Sequence, residues 1–313
     1  MKDRTLTSIG FVIVLVLAFV LKIYVSAYFF DALIAFIAVY ATYEFTKMLA
    51  RMGRYNNQDV AILFSGCLSL LLVFTIETLG LFSLLAGAGL VVFASIVAFC
   101  KEIIFTKSAN SEIRIRGLQI SKTKFAFNKA LNTLFALVYP ALLFSTMFLL
   151  NHFETFVSEE SAFENMSLFV LLFAFLIPIF TDTFCMLVGT VFGGKKLCPK
   201  ISPNKTISGA IGGTLCCVVL CAIVFIICHQ IESVSVLLNS INLGINNIWK
   251  LLIIVLLGSV ISQLGDILES LFKRKAGVKD SGKILPGHGG ILDRFDSYIF
   301  VAPYLLIAFL ILF

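Results

Sequence analysis

Charge is what this chain has least of. Only 13% of its 313 residues are Asp, Glu, Lys or Arg, while 59% are hydrophobic. A soluble domain of this size needs a far larger charged share to cover its surface, so a soluble fold is excluded and a membrane protein remains. There are six prolines, one tryptophan and three histidines, too few for a proline-rich linker or a histidine-rich metal tract. The eight cysteines (Cys67, Cys100, Cys185, Cys198, Cys216, Cys217, Cys221 and Cys228) lie mostly inside apolar runs, without zinc-ligand spacing or a paired framework. They read as small buried hydrophobes. No internal repeat and no low-complexity linker is visible.

Hydrophobic runs are abundant. A bilayer-spanning helix needs about 20 largely apolar residues. That rule gives an all-α, polytopic integral membrane protein with about nine transmembrane helices, at roughly 6–24, 28–46, 60–78, 80–100, 127–150, 167–192, 207–229, 248–271 and 296–313. Residues 1–165 then carry about five N-terminal helices. Residues 166–313 carry the C-terminal helices and their polar loops, all within one membrane-embedded unit. The first run could also serve as a signal peptide, since Lys2 and Arg4 precede it. Basic residues follow the even-numbered helices: Lys47, Arg51 and Arg54; Lys101 to Lys124; Lys195 to Lys205; Lys273 to Lys283. The fifth-to-sixth connection is acidic, with Glu154, Glu159, Glu160 and Glu164. By the positive-inside rule the N-terminus and every basic loop face the cytoplasm, and the C-terminus lies outside. The Lys101–Lys124 stretch reads as an interfacial amphipathic helix or a solvated connector.

The remaining charge is concentrated in two places. The first is SQLGDILESLFKRKAGVKDSGKILPGHGGILDRFD, Ser262 to Asp296. At 100° per residue, Ser262, Asp266, Ser270 and Lys273 share one helix face. Asp266 lies inside the membrane boundary, where an ionisable group is expensive and often functional; a structural pair with Lys273 or Arg274 is the alternative. Asp293 and Asp296 share a face in the first turn of the last helix, where a dipole-stabilised cap is the plain reading. If antiparallel helices bring these ends together, Asp266, Asp293 and Asp296 converge. Mg²⁺ takes one or two carboxylates plus substrate phosphates and water, which suits a nucleotide site. Gly287, Gly289 and Gly290 between Pro286 and Asp293 let backbone N–H groups approach phosphate, with Lys279, Lys283 and Arg294 as counter-charges. His288 fits an acid–base group or a hydrogen-bond donor. The second place is Asp182 to Gly213. Here Ser202-Pro203-Asn204-Lys205-Thr206 leads into a helix N-terminus, a ready anion site; a basic loop with glycines for helix packing is the alternative.

These residues resemble the phosphatidate cytidylyltransferase (CDP-diglyceride synthetase) family. The family's signature runs from a serine through a Lys/Arg-Asp pair to P-G-H-G-G-x-x-D-R-x-D. It stands here as Ser270, Lys279-Asp280 and PGHGGILDRFD at 286–296. The family's S-P-x-K-T-x-E-G-x-x-G-G matches Ser202 to Gly213, with Ser208 in place of the usual glutamate. Around Asp182 the usual D-T-x-A-Y is D-T-F-C-M, and Thr190 stands where a basic residue is common. Tyr43-Glu44-Phe45 is a weaker family feature. The resemblance implies a nucleotidyltransferase of phospholipid biosynthesis that converts CTP and phosphatidate into CDP-diacylglycerol and pyrophosphate. It implies Asp293, Arg294, Lys279 and His288 as catalytic residues. Substrate phosphates would be held by Ser202, Lys205, Thr206, Ser270, Lys283, Gly287, Gly289 and Gly290. Metal ligands would be Asp266, Asp293 and Asp296, for Mg²⁺ or Mn²⁺, with a second cation compatible. Its partners would be CTP, phosphatidate and membrane lipids, without nucleic acid; a homodimer is compatible. Its place would be the cell (inner) membrane, multi-pass, with a cytoplasmic active site. A CTP-dependent polyprenol or phytol kinase shares parts of the pattern, and a transporter is the non-enzyme reading.

Overall fold

A computed structural model describes residues 2–105, 112–115, 118–157, 166–240, 243–284 and 289–312. The chain is almost wholly helical and divides into two compact units. The first contains residues 1–145 and 273–294; the second contains 146–272 and 295–313. The division suggested by sequence, at 165/166, borders the undescribed residues 158–165.

The first unit opens with α1 (Lys2–Tyr24) and α2 (Ala27–Arg51), where Ser26 caps α2 by accepting from the Tyr28 N–H. Next come α3 (Gln58–Leu79) and α4 (Ser83–Phe105), joined by a single 3₁₀ turn. Gly80 closes α3 with a φ of 53°, a left-handed value that glycine adopts without strain. The tight turn makes α3 and α4 a hairpin, with Phe64 and Phe93 rings 6.0 Å apart. Asn57 ties the helices together below it: its amide donates to the Ala98 carbonyl and its N–H to Thr133, both at 2.9 Å.

In the Lys101–Lys124 segment, α4 runs on to Phe105 and α5 starts at Lys122. Between them the described residues pair as antiparallel strands, β1 (Glu112–Ile115) with β2 (Leu118–Ser121), and not as the amphipathic helix that is one of the two readings of the sequence. The alternation in E-I-R-I and L-Q-I-S has the period of a strand, not of a helix. α5 (Lys122–Ala136) follows, and its ladder opens into a π-helical stretch over Leu137–Leu142 around Pro140, which has no N–H to donate. The core of this unit is built on Phe45, Leu49, Leu68, Leu72 and Leu137, with Phe45 and Tyr139 rings 4.7 Å apart.

The second unit contains α6 (Thr146–Asn151), α7 (Glu154–Val157), α8 (Met166–Phe192), β3 (Lys196–Cys198), β4 (Ser202–Thr206), α9 (Ile207–His229), α10 (Glu232–Ser240), α11 (Ile248–Lys275, its last three residues in the first unit) and α13 (Tyr298–Leu312). The short α12 (Leu292–Phe295) begins in the first unit. Phe148, Phe153, Phe173, Phe225 and Phe309 are fully buried and form the core of the second unit.

α8 and α9 pack closely because glycines line the contact. A Cβ on Gly209 would lie 2.5 Å from the Cys185 carbonyl oxygen, and one on Gly213 2.6 Å from the Cys185 nitrogen. Small residues at this spacing let membrane helices approach backbone to backbone. A polar ladder then joins α8, α9 and α11. Thr181 donates to Ser259 at 2.8 Å, Ser259 to Thr214 at 3.2 Å, and the Gln263 amide to Thr214 at 2.8 Å.

Seven helical runs among the described residues are long and apolar enough to cross a membrane, compared with the nine expected. Two features account for the lower count. The run Gln58–Ile104 is the α3–α4 hairpin taken as one, and of α1 only Ile13–Tyr24 enters the count as a described apolar run, which is shorter than a span. Large apolar side chains cover the exterior, including Phe74 at 76% and Val191 at 76% exposure. In lipid such a surface is solvated, and every helix satisfies its own backbone. The molecule is an all-α polytopic membrane protein with two small strand hairpins.

Candidate active site

The second unit has a cavity of about 430 Å³ lined by residues from α8, β4, α9 and α11, among them Asp182, Ser202, Lys205, Thr206, Gln263 and Asp266. Its shape follows from local sequence. α8 ends at Gly193 and Gly194, both at positive φ (59° and 102°), so the chain reverses into the β3–β4 hairpin. β4 runs straight into α9, and Thr206 is the N-cap, its hydroxyl accepting from the Gly209 N–H at 3.1 Å. The N-terminus of α9 therefore faces the cavity with Lys205 beside it. The Lys205 ammonium pairs with the Asp266 carboxylate at 2.5 Å, and Ser270 donates to Asp266 at 3.4 Å. The helix face read from sequence is thus present, but the partner of Asp266 is Lys205, 61 positions away. Ser208, which departs from the family pattern, donates to the Gly193 carbonyl and to Thr206, tying the end of α8 to the cap of α9.

The first unit carries the segment between α11 and α12, described over 276–284 and 289–291. Asp293 organises it. Its Oδ1 accepts from Lys273 at 2.9 Å, and its Oδ2 accepts from the N–H groups of Ser281 at 2.8 Å and Gly290 at 2.7 Å. Gly289 has a φ of 86°, and a Cβ there would lie 2.5 Å from the Asp293 carboxylate. From α2, Glu44 accepts from the Ser281 hydroxyl at 3.0 Å and the Leu292 N–H at 2.8 Å. A second cavity, of about 670 Å³, is lined by Tyr40, Tyr43, Lys47 and Arg51 of α2 and by Lys279 and Lys283 of the loop. Arg294 is exposed.

Several expected site residues are placed differently from the sequence reading. Asp293 is more than a cap, since three donors converge on it. Asp296, 7% exposed, sits in the second unit and accepts from the Ser297 N–H at 2.7 Å, a local turn contact. Gly287 and His288 lie outside the described residues. Within either unit, no three His, Cys, Asp or Glu side chains among the described residues form a group that could hold a metal by themselves. The donor set of the second unit's cavity is compatible with Mg²⁺, which takes one or two carboxylates besides phosphate and water: Asp182 from α8 and Asp266 from α11 both line it. Sequence reasoning gave Gln263 and Asn204 no role, although both line this cavity. It also gave Glu44 little weight, because the groups it holds lie more than 230 positions away.

The fold defines a class: a polytopic helical membrane protein with two polar cavities, each lined by acidic and basic side chains. The chain belongs to the cytidylyltransferase family, whose sequence profile matches residues 2–312. The phosphatidate cytidylyltransferase of Staphylococcus haemolyticus is 40% identical over 197 residues, 63% of this chain and 65% of the relative. That of Staphylococcus epidermidis is 42% identical over 188 residues, 59% of this chain and 61% of the relative. That of Staphylococcus aureus (strain COL) is 41% identical over 207 residues, 65% of this chain and 69% of the relative. The chain thus spans a little under two thirds of the first two relatives and slightly more of the third.

Proposed function

We propose that this protein transfers the cytidylyl group of CTP to phosphatidate, releasing pyrophosphate and forming CDP-diacylglycerol. The observation that carries this reading is the second unit's cavity, where Lys205, two carboxylates and the capped N-terminus of α9 converge. A phosphate oxygen of the lipid attacks the α-phosphorus of CTP. A new P–O–P bond forms, the α–β anhydride bond breaks, and the electron pair leaves on pyrophosphate. No covalent enzyme intermediate is needed. The protein's task is to hold two anions in line and to neutralise charge as it shifts.

Lys205 and the positive end of the α9 dipole are suited to phosphate, with Ser202 lining the same cavity and Ser270 bonded to Asp266. The Lys205–Asp266 pair opens when phosphate competes for the lysine, leaving the carboxylate available. Asp182 and Asp266 would hold Mg²⁺ or Mn²⁺, which when bound supplies charge neutralisation at the phosphates. In the first unit, Lys279 and Lys283 line a cavity of their own and Arg294 is exposed on α12, cationic groups that are further candidates for phosphate contact. The distribution of basic loops supports a cytoplasmic site in the cell membrane.

The test uses purified protein, phosphatidate and CTP labelled at either the α- or the γ-phosphorus. The α label is expected in a CDP-lipid and the γ label in pyrophosphate. Transfer of the γ label to lipid would instead identify a lipid kinase.

A further inference from the structure

We propose that Glu44 is a positioning residue for the signature loop, a carboxylate latch that reaches from α2 and fixes the backbone carrying Lys279 and Lys283. Its consequence for turnover rests on the reaction proposed above; its consequence for the loop does not.

Glu44 lies in the buried face of α2 and is 2% exposed. A carboxylate this deep is costly to bury without donors. One oxygen, Oε2, has two of them: the Ser281 hydroxyl and the Leu292 N–H, one at each side of the loop. The Ile291 N–H also favours the carboxylate, while the other oxygen, Oε1, has no hydrogen-bond partner among the described residues. It lies instead against bare backbone. A Cβ built on Gly282 would fall 1.9 Å from Oε1, and one on Gly290 would fall 2.5 Å from it. A side chain at 282 would therefore collide with the carboxylate at 44, and one at 290 with both that carboxylate and the Ser281 hydroxyl, 2.1 Å from its Cβ. Gly290 and Ser281 are also the two residues whose N–H groups Asp293 binds. Two acidic side chains thus grip the same pair of residues, Asp293 through the backbone and Glu44 through the Ser281 side chain and the glycine faces. Lys279 and Lys283 flank Ser281 along the chain, in the wall of the larger cavity.

The latch works through acceptor geometry and shape, so an amide should replace it. Gln at 44 keeps one oxygen for Ser281 and Leu292 and turns its NH₂ to the side where Oε1 now sits. Ala keeps neither bond. The full chain is purified in detergent and digested briefly with trypsin, with cleavage followed at Lys279 and Lys283. In Glu44→Ala, cleavage there should rise about tenfold or more, as local opening becomes easier, while Glu44→Gln stays close to the unmodified protein. CDP-lipid formation should follow the same order: a fall in kcat of roughly 10- to 100-fold for Ala, largely restored in Gln.

Since Glu44→Ala could unfold the first unit broadly, Gly282→Ala approaches from the loop side and should expose the same two lysines. In the double variant Glu44→Ala/Gly282→Ala the added methyl no longer meets the carboxylate and keeps only its 3.2 Å approach to the Gly290 Cα. The second substitution should therefore add less to the first than it costs alone, a coupling that separate defects would not show. Equal resistance of Glu44→Ala and the unmodified protein would overturn the latch. So would a Glu44→Gln variant as cleavable as Glu44→Ala, or strict additivity in the double variant. An unmodified protein that makes no CDP-lipid, alongside the expected cleavage pattern, would remove the proposed reaction and leave the latch standing.

Discussion

Asp293 shows how one side chain can decide both stability and activity. As a plain helix cap its replacement by Asn would cost at most about 1 kcal/mol. The structure gives it a lysine and two backbone N–H donors, with its side chain 5% exposed. Asn keeps one acceptor oxygen and turns an NH₂ toward groups that themselves donate. The expected cost is therefore higher, about 2–4 kcal/mol, and thermal unfolding in detergent measures it. Turnover should fall roughly 10²-fold, because the loop no longer holds its place. Ser208→Ala removes only hydrogen bonds to Gly193 and Thr206. It should lose about 1 kcal/mol and keep most of its activity. A Ser208→Ala variant as inactive as Asp293→Asn would show that this position works in the chemistry.

The α8–α9 pair is the element that most directly shapes the cavity of the second unit. Its closeness depends on Gly189, Gly209 and Gly213 having no side chain. A methyl on Gly209 meets the Cys185 carbonyl oxygen at 2.5 Å and the Gly189 Cα at 3.1 Å, both backbone atoms that cannot swing aside. Gly209→Ala should therefore push the helices apart and destabilise by about 1–3 kcal/mol. Thr206, which caps α9 through Gly209, moves with it. The KM for CTP should rise as well as the melting temperature fall. Gly89→Ala in α4, at a position with nothing within 4 Å, is the matched control and should neither raise the KM nor lower the melting temperature.

At the scale of the whole molecule, two predictions follow from charge. A site that binds triphosphate beside Asp182 and Asp266 needs a counter-cation, so exhaustive chelation should abolish CDP-lipid formation and Mg²⁺ or Mn²⁺ should restore it. Full activity after chelation would rule the metal out. Topology gives the other. In a background without the native cysteines, a cysteine at position 283 should be labelled by an impermeant reagent only after the cells are opened. Labelling in intact cells would place the loop, and the proposed chemistry with it, on the outer face.

Hydropathy alone determined that this chain lives in a bilayer and where its helices run, because about 20 apolar residues have no other stable use and helical hydrogen bonding is local. The charged stretches around Asp182–Gly213 and Ser262–Asp296 were equally legible, since charge stands out against so apolar a background. The short strand hairpins were not, because hydropathy over long windows averages away four-residue alternation. Nor were the partners. Lys205 on Asp266, Lys273 on Asp293, and Glu44 on Ser281 and Leu292 join residues from 20 to 248 positions apart. Which donor meets which carboxylate depends on how helices stack and how closely glycine lets them approach, and only the tertiary structure decided it.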